Sequence, residues 1–278
     1  MRKSLVISLA LLGTALAATP ALAQSDESIS YNGLYVGGSF GGAGQSNDVG
    51  SRINFDRNGD GNFNDVVTTA GGTDAFAPGF CNGRATGTAN TSCKNDKDGI
   101  EYYGRVGFDV TFGGHFVGGV VGEFGKPEIS DSVSAFSTTP AYYTMTRSLR
   151  YNAGLRARIG YTPQGSTLFY ATGGGAYGRV RNSFTTSNGT NSFSTNGSKN
   201  DYGFGVGGGV EQKIGQHFSV GLEYLYTDLK DKKARVDVGA GTALATNPFI
   251  LGGGGTEFRR SDDNFRWHSV RAVVAFHF

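Results

Sequence analysis

One segment of the chain carries oxygen-bearing side chains at the spacing of a calcium-binding loop. These side chains belong to Asp56, Asn58, Asp60, Asn62 and Asn64, and glycine occupies position 61. Oxygen ligands at the first, third and fifth positions, with glycine at the sixth, suit the turn around a hard cation. The twelfth position would be Val67, so the closing carboxylate is missing, and Asn, Asp and Gly are also typical of tight turns. The segment predicts either a weak calcium site, with a dissociation constant of about 0.1–1 mM, or a solvated turn.

Cys81 and Cys93 are the only cysteines of the chain, and they lie in the same predicted loop. An exported chain passes through an oxidising compartment, which favours a disulfide. Closing a loop of this size stabilises a fold by about 3 kcal/mol in the chain-entropy model. Two free thiols or a shared metal ion are the alternatives, and no histidine accompanies the pair in this loop.

No convergent set of catalytic side chains is visible. The chain has four histidines, and His268 and Ser269 are neighbours in a predicted strand, so they point to opposite faces. Two glycine patterns, 173–178 and 203–208, match the spacing of a dinucleotide site. Both lie inside predicted strands, whereas such a site needs a helix N-terminus to receive the pyrophosphate. The sequence therefore predicts no enzyme.

Alternation with a period of two dominates the chain beyond its N-terminal region and predicts strands. From Ile100 to Phe112, for example, apolar residues and glycine occupy the even positions, and most of the odd positions are polar. The eight predicted strands span residues 33–42, 100–112, 115–125, 148–161, 166–180, 201–214, 217–229 and 265–278. Most of them are longer than the roughly 9 to 11 residues that a tilted strand needs to cross a bilayer.

The predicted connections alternate between long and short. Long connections at 43–99, 126–147, 181–200 and 230–264 are separated by turns of two to four residues. This layout is typical of an all-β, eight-stranded antiparallel transmembrane barrel with short periplasmic turns, long extracellular loops and periplasmic termini. A secreted sandwich or a lipocalin-type barrel is the soluble alternative. Aromatic residues recur toward the strand ends, as girdles require; they are Tyr102, Phe112, Phe116, Phe124, Tyr151, Tyr161 and Tyr170.

Strand parity places many charged side chains on the face that would line the lumen. The predicted set is Glu101, Arg105, Asp109, Glu123, Arg150, Arg156, Arg158, Arg179, Asp201, Glu211, Lys213, Glu223 and Arg271. The interior of an eight-stranded barrel is just wide enough for side chains to fill. Because acids and bases nearly balance, we expect ion pairs that plug the lumen, and a narrow ion path is the alternative.

Several segments resemble the porin-family outer-membrane β-barrel proteins of Gram-negative bacteria, the group of small surface antigens and opacity-type proteins. They are residues 32–38, 155–163, 170–178, 223–229 and 268–278. The resemblance implies an eight-stranded barrel in the cell outer membrane, in contact with lipid and lipopolysaccharide. It also implies an assembly signal, read by the barrel assembly machinery, in the last strand at Val270, Ala272, Val274, Phe276 and Phe278. The segment 43–99 departs from the family as an enlarged first extracellular loop.

These observations favour a structural surface protein that supports envelope integrity and displays its loops. A passive pore for ions or small solutes is one alternative. The other is a receptor or adhesin that contacts a host-surface ligand through the first loop. Some members of the family bind haem, which here would have to rely on Tyr142 or Tyr143, because the predicted outer loops contain no histidine. The segments 182–200 and 239–256 are rich in Ser, Thr, Asn and Gly and predict mobile surface loops.

The N-terminal residues predict a secretory signal peptide over 1–23, followed by one barrel domain over 24–278. Arg2 and Lys3 precede an apolar run, and Ala21–Ala23 supplies a small-residue cleavage site. Removing the two basic residues reduces Lys+Arg from 25 to 23, which equals the 23 Asp+Glu, so the mature chain is formally neutral. With no basic block either, nucleic-acid binding is not expected. No later apolar stretch reaches the about 18 residues of a membrane helix.

Overall fold

The computed structural model describes residues 30–45, 50–91, 93–232 and 234–278, so the predicted signal peptide lies outside the described residues. The strands of this part are β1 (Gly33–Gly44), β2 (Ile53–Asp56), β3 (Gly79–Asn82), β4 (Arg84–Ala85), β5 (Cys93–Lys94), β6 (Gly99–Phe112), β7 (Phe116–Pro127), β8 (Ser130–Ser137), β9 (Ala141–Tyr161), β10 (Thr167–Thr186), β11 (Ser192–Thr195), β12 (Ser198–Ile214), β13 (Phe218–Lys230), β14 (Val236–Gly239), β15 (Thr256–Arg260) and β16 (Asn264–His277). Within the described residues, no helix has the length and apolar character to cross a membrane.

Eight of these strands form a closed antiparallel barrel, which confirms the predicted fold class. Their order around the barrel is β1, β6, β7, β9, β10, β12, β13 and β16, and β16 pairs again with β1. Each predicted strand falls on one of them. The short connections lie at one end, as in Gly113 and Gly114, whose φ angles of 59° and 78° require the left-handed region that glycine adopts without strain.

The outer face of the barrel is apolar around its middle. Residues here are at least 41% exposed and include Val36, Val106, Phe108, Val120, Leu155, Ile159, Val206, Val220, Val270 and Val274. Aromatic rings border this belt at both ends. Near the long connections the rings of Tyr151, Tyr177 and Tyr202 follow one another, with centroid distances of 6.1 Å and 5.1 Å. Near the short turns, the Phe112 and Phe116 rings lie 5.9 Å apart.

Glycines in the strands allow close approach between neighbouring backbones. A Cβ atom on Gly203 would lie 1.7 Å from the carbonyl oxygen of Asp228, and one on Gly178 would lie 2.6 Å from Leu229 Cδ1. Both glycine patterns that match a dinucleotide site therefore serve the packing of strands inside the barrel wall.

A bulge between β9 and β10 changes which residues face the lumen. The pairing register shifts between Arg179 and Val180, which face Tyr151 and Leu149, so Arg150 has no partner on β10. Because one extra residue reverses strand parity, Leu149 is buried in the lumen and Arg150 is exposed on the outer face. The lumenal prediction for Arg150 is therefore wrong.

The long connections pack together into a second folded unit, which we call the cap: β2, β3, β8, β11, β14 and β15 with the adjoining ends of β9 and β10. Residues from all four long connections share one hydrophobic core. Its buried members are Ile53, Phe55, Val67, Ala75, Phe76, Val133, Ala135, Ala141, Tyr143, Met145, Val236, Val238, Phe249 and Phe258. Phe184 and Phe193 pack against this core from the segment 182–200. Phe193 and Phe249 thus attach the segments 182–200 and 239–256 to this core, and the mobility of these two surface segments stays a prediction.

A disulfide links Cys81 of β3 to Cys93 of β5, with a Cα–Cα distance of 6.4 Å. It encloses the small hairpin in which Ala85 pairs with Cys93. The disulfide predicted from the sequence is confirmed, and it links this hairpin to β3, the strand at the edge of the cap.

Candidate functional site in the barrel lumen

Glu223 is the centre of a buried ionic network in the middle of the lumen. Its carboxylate accepts hydrogen bonds from Arg105 Nη2 at 3.2 Å and Arg271 Nε at 2.8 Å. Tyr170 Oη also donates to it, at 2.9 Å. Arg156 Nη2 approaches the same carboxylate at 3.4 Å. One carboxylate thus faces three guanidinium groups that strands on different sides of the barrel supply.

Neighbouring carboxylates balance the remaining positive charge. Glu123 Oε2 accepts from Arg271 Nη2 at 2.8 Å and from Arg156 Nη2 at 3.0 Å. Glu101 lies 3.9 Å from Arg271 Nη1 and accepts a hydrogen bond from Ser269 Oγ at 2.8 Å. Buried ions need such multiple partners, because taking a charge out of water costs several kcal/mol that one pair rarely offsets.

A second group of charges lies nearer the short turns. Arg158 Nε donates to Asp109 at 2.8 Å, and Arg158 Nη1 donates to Glu211 at 2.9 Å. The Arg158 guanidinium also stacks on two tyrosine rings, with its Cζ atom 4.9 Å from the Tyr35 centroid and 5.2 Å from that of Tyr170. Tyr170 therefore belongs to the lumen, and its prediction as a girdle residue is wrong.

Ser219, His277 and Glu211 meet in the same region but are not arranged as a catalytic triad. Ser219 Oγ donates directly to Glu211 at 2.6 Å, and the same oxygen lies 2.9 Å from His277 Nε2. His277 Nε2 is also the atom that faces Glu211, at 3.4 Å. In a catalytic triad, the acid binds one ring nitrogen of the histidine, and the serine hydroxyl donates its hydrogen bond to the other ring nitrogen. All three side chains are buried, so this cluster is part of the lumen packing.

The structure places all but two of the predicted lumen charges inside the barrel. Lys213 is buried without a carboxylate in direct contact, and its Nζ donates to the carbonyl oxygens of Ser30 and Gln216. Asp201 is also buried. The two exceptions are Arg150, turned outward by the bulge, and Arg179. Arg179 alternates with buried Gly178 and Val180 and so lies on the outer face, which corrects its prediction.

An apolar layer that was not predicted from the sequence fills the lumen on the side of the network that faces the cap. The layer consists of Ala43, Ile129, Leu149, Ala176, Val180, Leu229, Phe265 and Trp267. Trp267, the single tryptophan of the chain, is fully buried, and its ring lies 5.7 Å from that of Phe265. The available signal was that Phe265 and Trp267 continue the lumenal parity of Ser269 and Arg271.

A second ionic cluster lies between this apolar layer and the cap core. Arg147 Nε donates to Asp131 at 2.7 Å, and Arg147 Nη2 donates to the carbonyl oxygen of Asn264 at 2.6 Å. Arg260 also pairs with Asp131 and donates to the carbonyl oxygen of Met145 at 3.0 Å. Burial alone would raise the pKa of Asp131, but the two guanidinium groups hold it below its usual value. This cluster joins the barrel to the cap.

The calcium-like segment forms a compact turn at the surface of the cap. Both carboxylate oxygens of Asp56 accept backbone hydrogen bonds, from Gly59 N at 2.8 Å and Gly61 N at 2.7 Å. Asp60 Oδ1 accepts from Asn62 N at 2.7 Å. Across the described ranges, no cluster of three His, Cys, Asp or Glu residues is placed to hold a metal ion. These bonds describe the turn, and calcium binding by Asp56, Asn58, Asp60, Asn62 and Asn64 stays a prediction.

Tyr143, one of the two tyrosines considered as haem ligands, is buried in the cap core. Its hydroxyl oxygen accepts a hydrogen bond from Asn188 Nδ2 at 3.0 Å, and its ring contacts those of Phe76 and Phe249. Tyr142, its neighbour in β9, is half-buried. Tyr143 thus serves the packing of the cap.

The chain is similar to named proteins of bacterial outer membranes. The 31 kDa outer-membrane immunogenic protein of Brucella melitensis biotype 1 is 29% identical over 190 residues, which cover 63% of this chain and 76% of that protein. The chain is an outer-membrane β-barrel protein that is similar to this immunogenic protein. The 22 kDa outer membrane protein of Rhizobium leguminosarum bv. viciae is 36% identical over 90 residues, or 32% of this chain and 38% of that protein. No protein-family model matches.

A solved structure that this outer-membrane barrel resembles is that of the outer membrane protein OprG from Pseudomonas aeruginosa. The TM-score is 0.48 at 12% identity, with coverage of 91% of this chain and 100% of that chain. The last strand of the barrel carries the residues of the expected assembly signal on its outer face: Val270, Ala272, Val274 and Phe278 are exposed there, and Phe276 is half-buried. Recognition of this strand by the assembly machinery stays a prediction.

Proposed function

We propose that the protein is a non-conducting, non-catalytic outer-membrane barrel that supports envelope integrity and holds a folded cap at the cell surface. In this orientation the long connections face outward and the short turns face the periplasm, as is usual for such barrels. The observation that carries the proposal is the filled lumen. Two buried ionic clusters are separated by the apolar layer around Trp267, so ions or solutes would have to displace packed side chains at three levels.

The cap supports the display part of the proposal. Its core draws on all four long connections, so it presents one fixed surface rather than four independent loops. A rigid surface can bind a partner or an antibody without the entropy cost of ordering loops first. The pore alternative is supported less, because a continuous path would have to cross the apolar layer and both charged clusters.

Cells that lack the protein are expected to become more sensitive to detergents while their uptake of small solutes stays unchanged. The reason is that a barrel with a filled lumen strengthens the outer membrane but does not let solutes cross it. Detergent survival and uptake of a radiolabelled sugar would be measured in the deletion strain, with and without the wild-type gene supplied in trans. Unchanged detergent survival together with slower uptake would contradict the structural role and support the pore.

A further inference from the structure

Three arginines lie together on the outer face of the barrel at its cap end. Arg150 belongs to β9, and Arg179 and Arg181 belong to the adjacent strand β10. Arg179 is paired with Tyr151 and Arg181 with Ser148, so Arg150 lies between the two levels. Arg150 and Arg181 are exposed, and Arg179 is half-buried. We call these three residues the arginine triad.

The arginine triad has no protein carboxylate to neutralise it. The sequence contains no Asp or Glu between Ser132 and Asn200, a stretch that includes the whole of both strands. Among the described residues, none forms an ion pair or a hydrogen bond with a triad side chain, and Arg179 Nε is shielded from solvent without an acceptor. Two other basic residues toward this end do have carboxylate partners: Lys126 pairs with Glu128 at 2.7 Å, and Arg266 pairs with Asp262 at 2.9 Å.

The position of the triad matches the level of lipid headgroups. Arg179 is level with its cross-strand partner Tyr151, and Arg150 and Arg181 lie immediately beyond it. Tyr151 belongs with Tyr177 and Tyr202 to the series of rings that borders the apolar belt. Tyrosine rings are enriched at the interface between hydrocarbon and water. Side chains one or two residues further along the strands, at about 3.3 Å per residue, reach the polar layer of the membrane.

The bulge is what assembles the triad. Regular parity from Arg156 and Arg158 would place Arg150 in the lumen, and the extra residue turns it outward beside Arg179. Bulges commonly re-aim a side chain in this way. The bulge gives up regular pairing between β9 and β10, and it adds a third arginine without a carboxylate partner beside two others. This arrangement indicates that an anionic ligand binds at this level of the membrane.

We propose that the arginine triad binds the phosphate groups of a phosphorylated glycolipid in the outer leaflet, of the lipid A class. The planar guanidinium donates two parallel hydrogen bonds to a phosphate, and its charge remains fixed at any physiological pH. Tyr151 and Tyr177 lie where the first carbons of the acyl chains would pack. The inference uses the orientation proposed above, but the binding itself does not depend on whether the lumen conducts.

The test is binding of bisphosphorylated lipid A to the full-length barrel in neutral detergent micelles, measured by native mass spectrometry. Because each basic side chain near an anionic surface contributes roughly fivefold in affinity, we expect the R150A/R179A/R181A variant to bind about 100-fold more weakly. The triple lysine variant keeps the charge and is expected to recover most of the affinity but to lose more of it in high salt.

A matched control is the R84A/K94A/K232A variant, which removes three exposed charges from the first and fourth long connections. It should bind lipid A as the wild type does, and the heat-dependent shift of the folded barrel in gel electrophoresis confirms folding of every variant. Equal binding by wild type and R150A/R179A/R181A, or equal weakening in the control, would overturn the proposal. Inorganic phosphate that competes at micromolar concentration, or dephosphorylated lipid A that binds equally well, would overturn the assignment to a lipid phosphate.

Discussion

Replacing Glu223 with alanine is expected to lower the free energy of unfolding of the barrel by about 3–5 kcal/mol. The carboxylate is fully buried and faces Arg105, Arg156 and Arg271. Among the described residues, it is the only carboxylate in ion-pair contact with Arg105. Removing this carboxylate leaves buried arginine charges without a counter-charge. The free-energy cost of these unpaired charges exceeds the net stability that the intact ion pairs contribute.

Urea unfolding of the barrel in lipid vesicles, followed by tryptophan fluorescence, measures this effect. Trp267 is the only tryptophan and is buried in the apolar layer next to the network, so its emission reports opening of the lumen. Glu128→Ala is the matched control, because Glu128 and its partner Lys126 are 34% and 33% exposed and such a pair contributes less than about 1 kcal/mol. Equal losses in the two variants would contradict a tightly coupled network. Glu223→Gln keeps the shape of the side chain and is the second variant if the alanine variant does not refold.

Replacing Phe258 with alanine is expected to unfold the cap and leave the barrel intact. Phe258 is fully buried, and its ring contacts those of Phe55 at 5.1 Å, Phe249 at 5.5 Å and Tyr143 at 5.9 Å. Truncating a buried phenylalanine typically costs about 3–5 kcal/mol, which is a large share of the stability of a unit as small as the cap. Limited proteolysis should then cut residues 50–78 and 240–255 at least tenfold faster, in proportion to the population of the open form.

Leu244→Ala is the control for this experiment, because Leu244 lies in the same connection and is 78% exposed. It should leave the cleavage rate unchanged. In both variants the barrel strands should remain protected. If wild-type cap segments are already cut as fast as those of the Phe258→Ala variant, the long connections are free loops and the shared core does not hold them.

The barrel itself could be predicted from the sequence because strand alternation is a local property. In the run from Ile100 to Phe112, the alternation of apolar and polar residues shows which side chains face lipid and which face the lumen. No residue elsewhere in the chain is needed for this assignment. The same rule was applied to the wrong face of β10, whose regular alternation turns Tyr170 and Thr172 to the lumen and Arg179 outward. For Arg150 the rule itself was wrong, because of the bulge. A bulge adds one residue, and parity beyond it reverses, but nothing in the period-two pattern marks where the extra residue lies.

The cap and the second ionic cluster could not be predicted in the same way, because their contacts join distant parts of the chain. Phe193 lies in a segment that is otherwise Ser, Thr, Asn and Gly, a composition that predicts a free loop. Its neighbour in the core, Phe258, comes from another long connection. Likewise Asp131 and Arg260 are 129 residues apart in sequence, so no spacing rule connects them. The network around Glu223 was accessible because strand parity alone placed its members in one lumen.

Planar-bilayer recording of the purified full-length protein shows whether the lumen is filled and closed. In 1 M KCl, we expect insertion without steady unitary conductance, under conditions where a 16-stranded porin conducts. Reproducible unitary steps that disappear when a bulky reagent is attached inside the lumen, for example at Ser269→Cys, would show an open path along the barrel axis and would rule out a filled lumen.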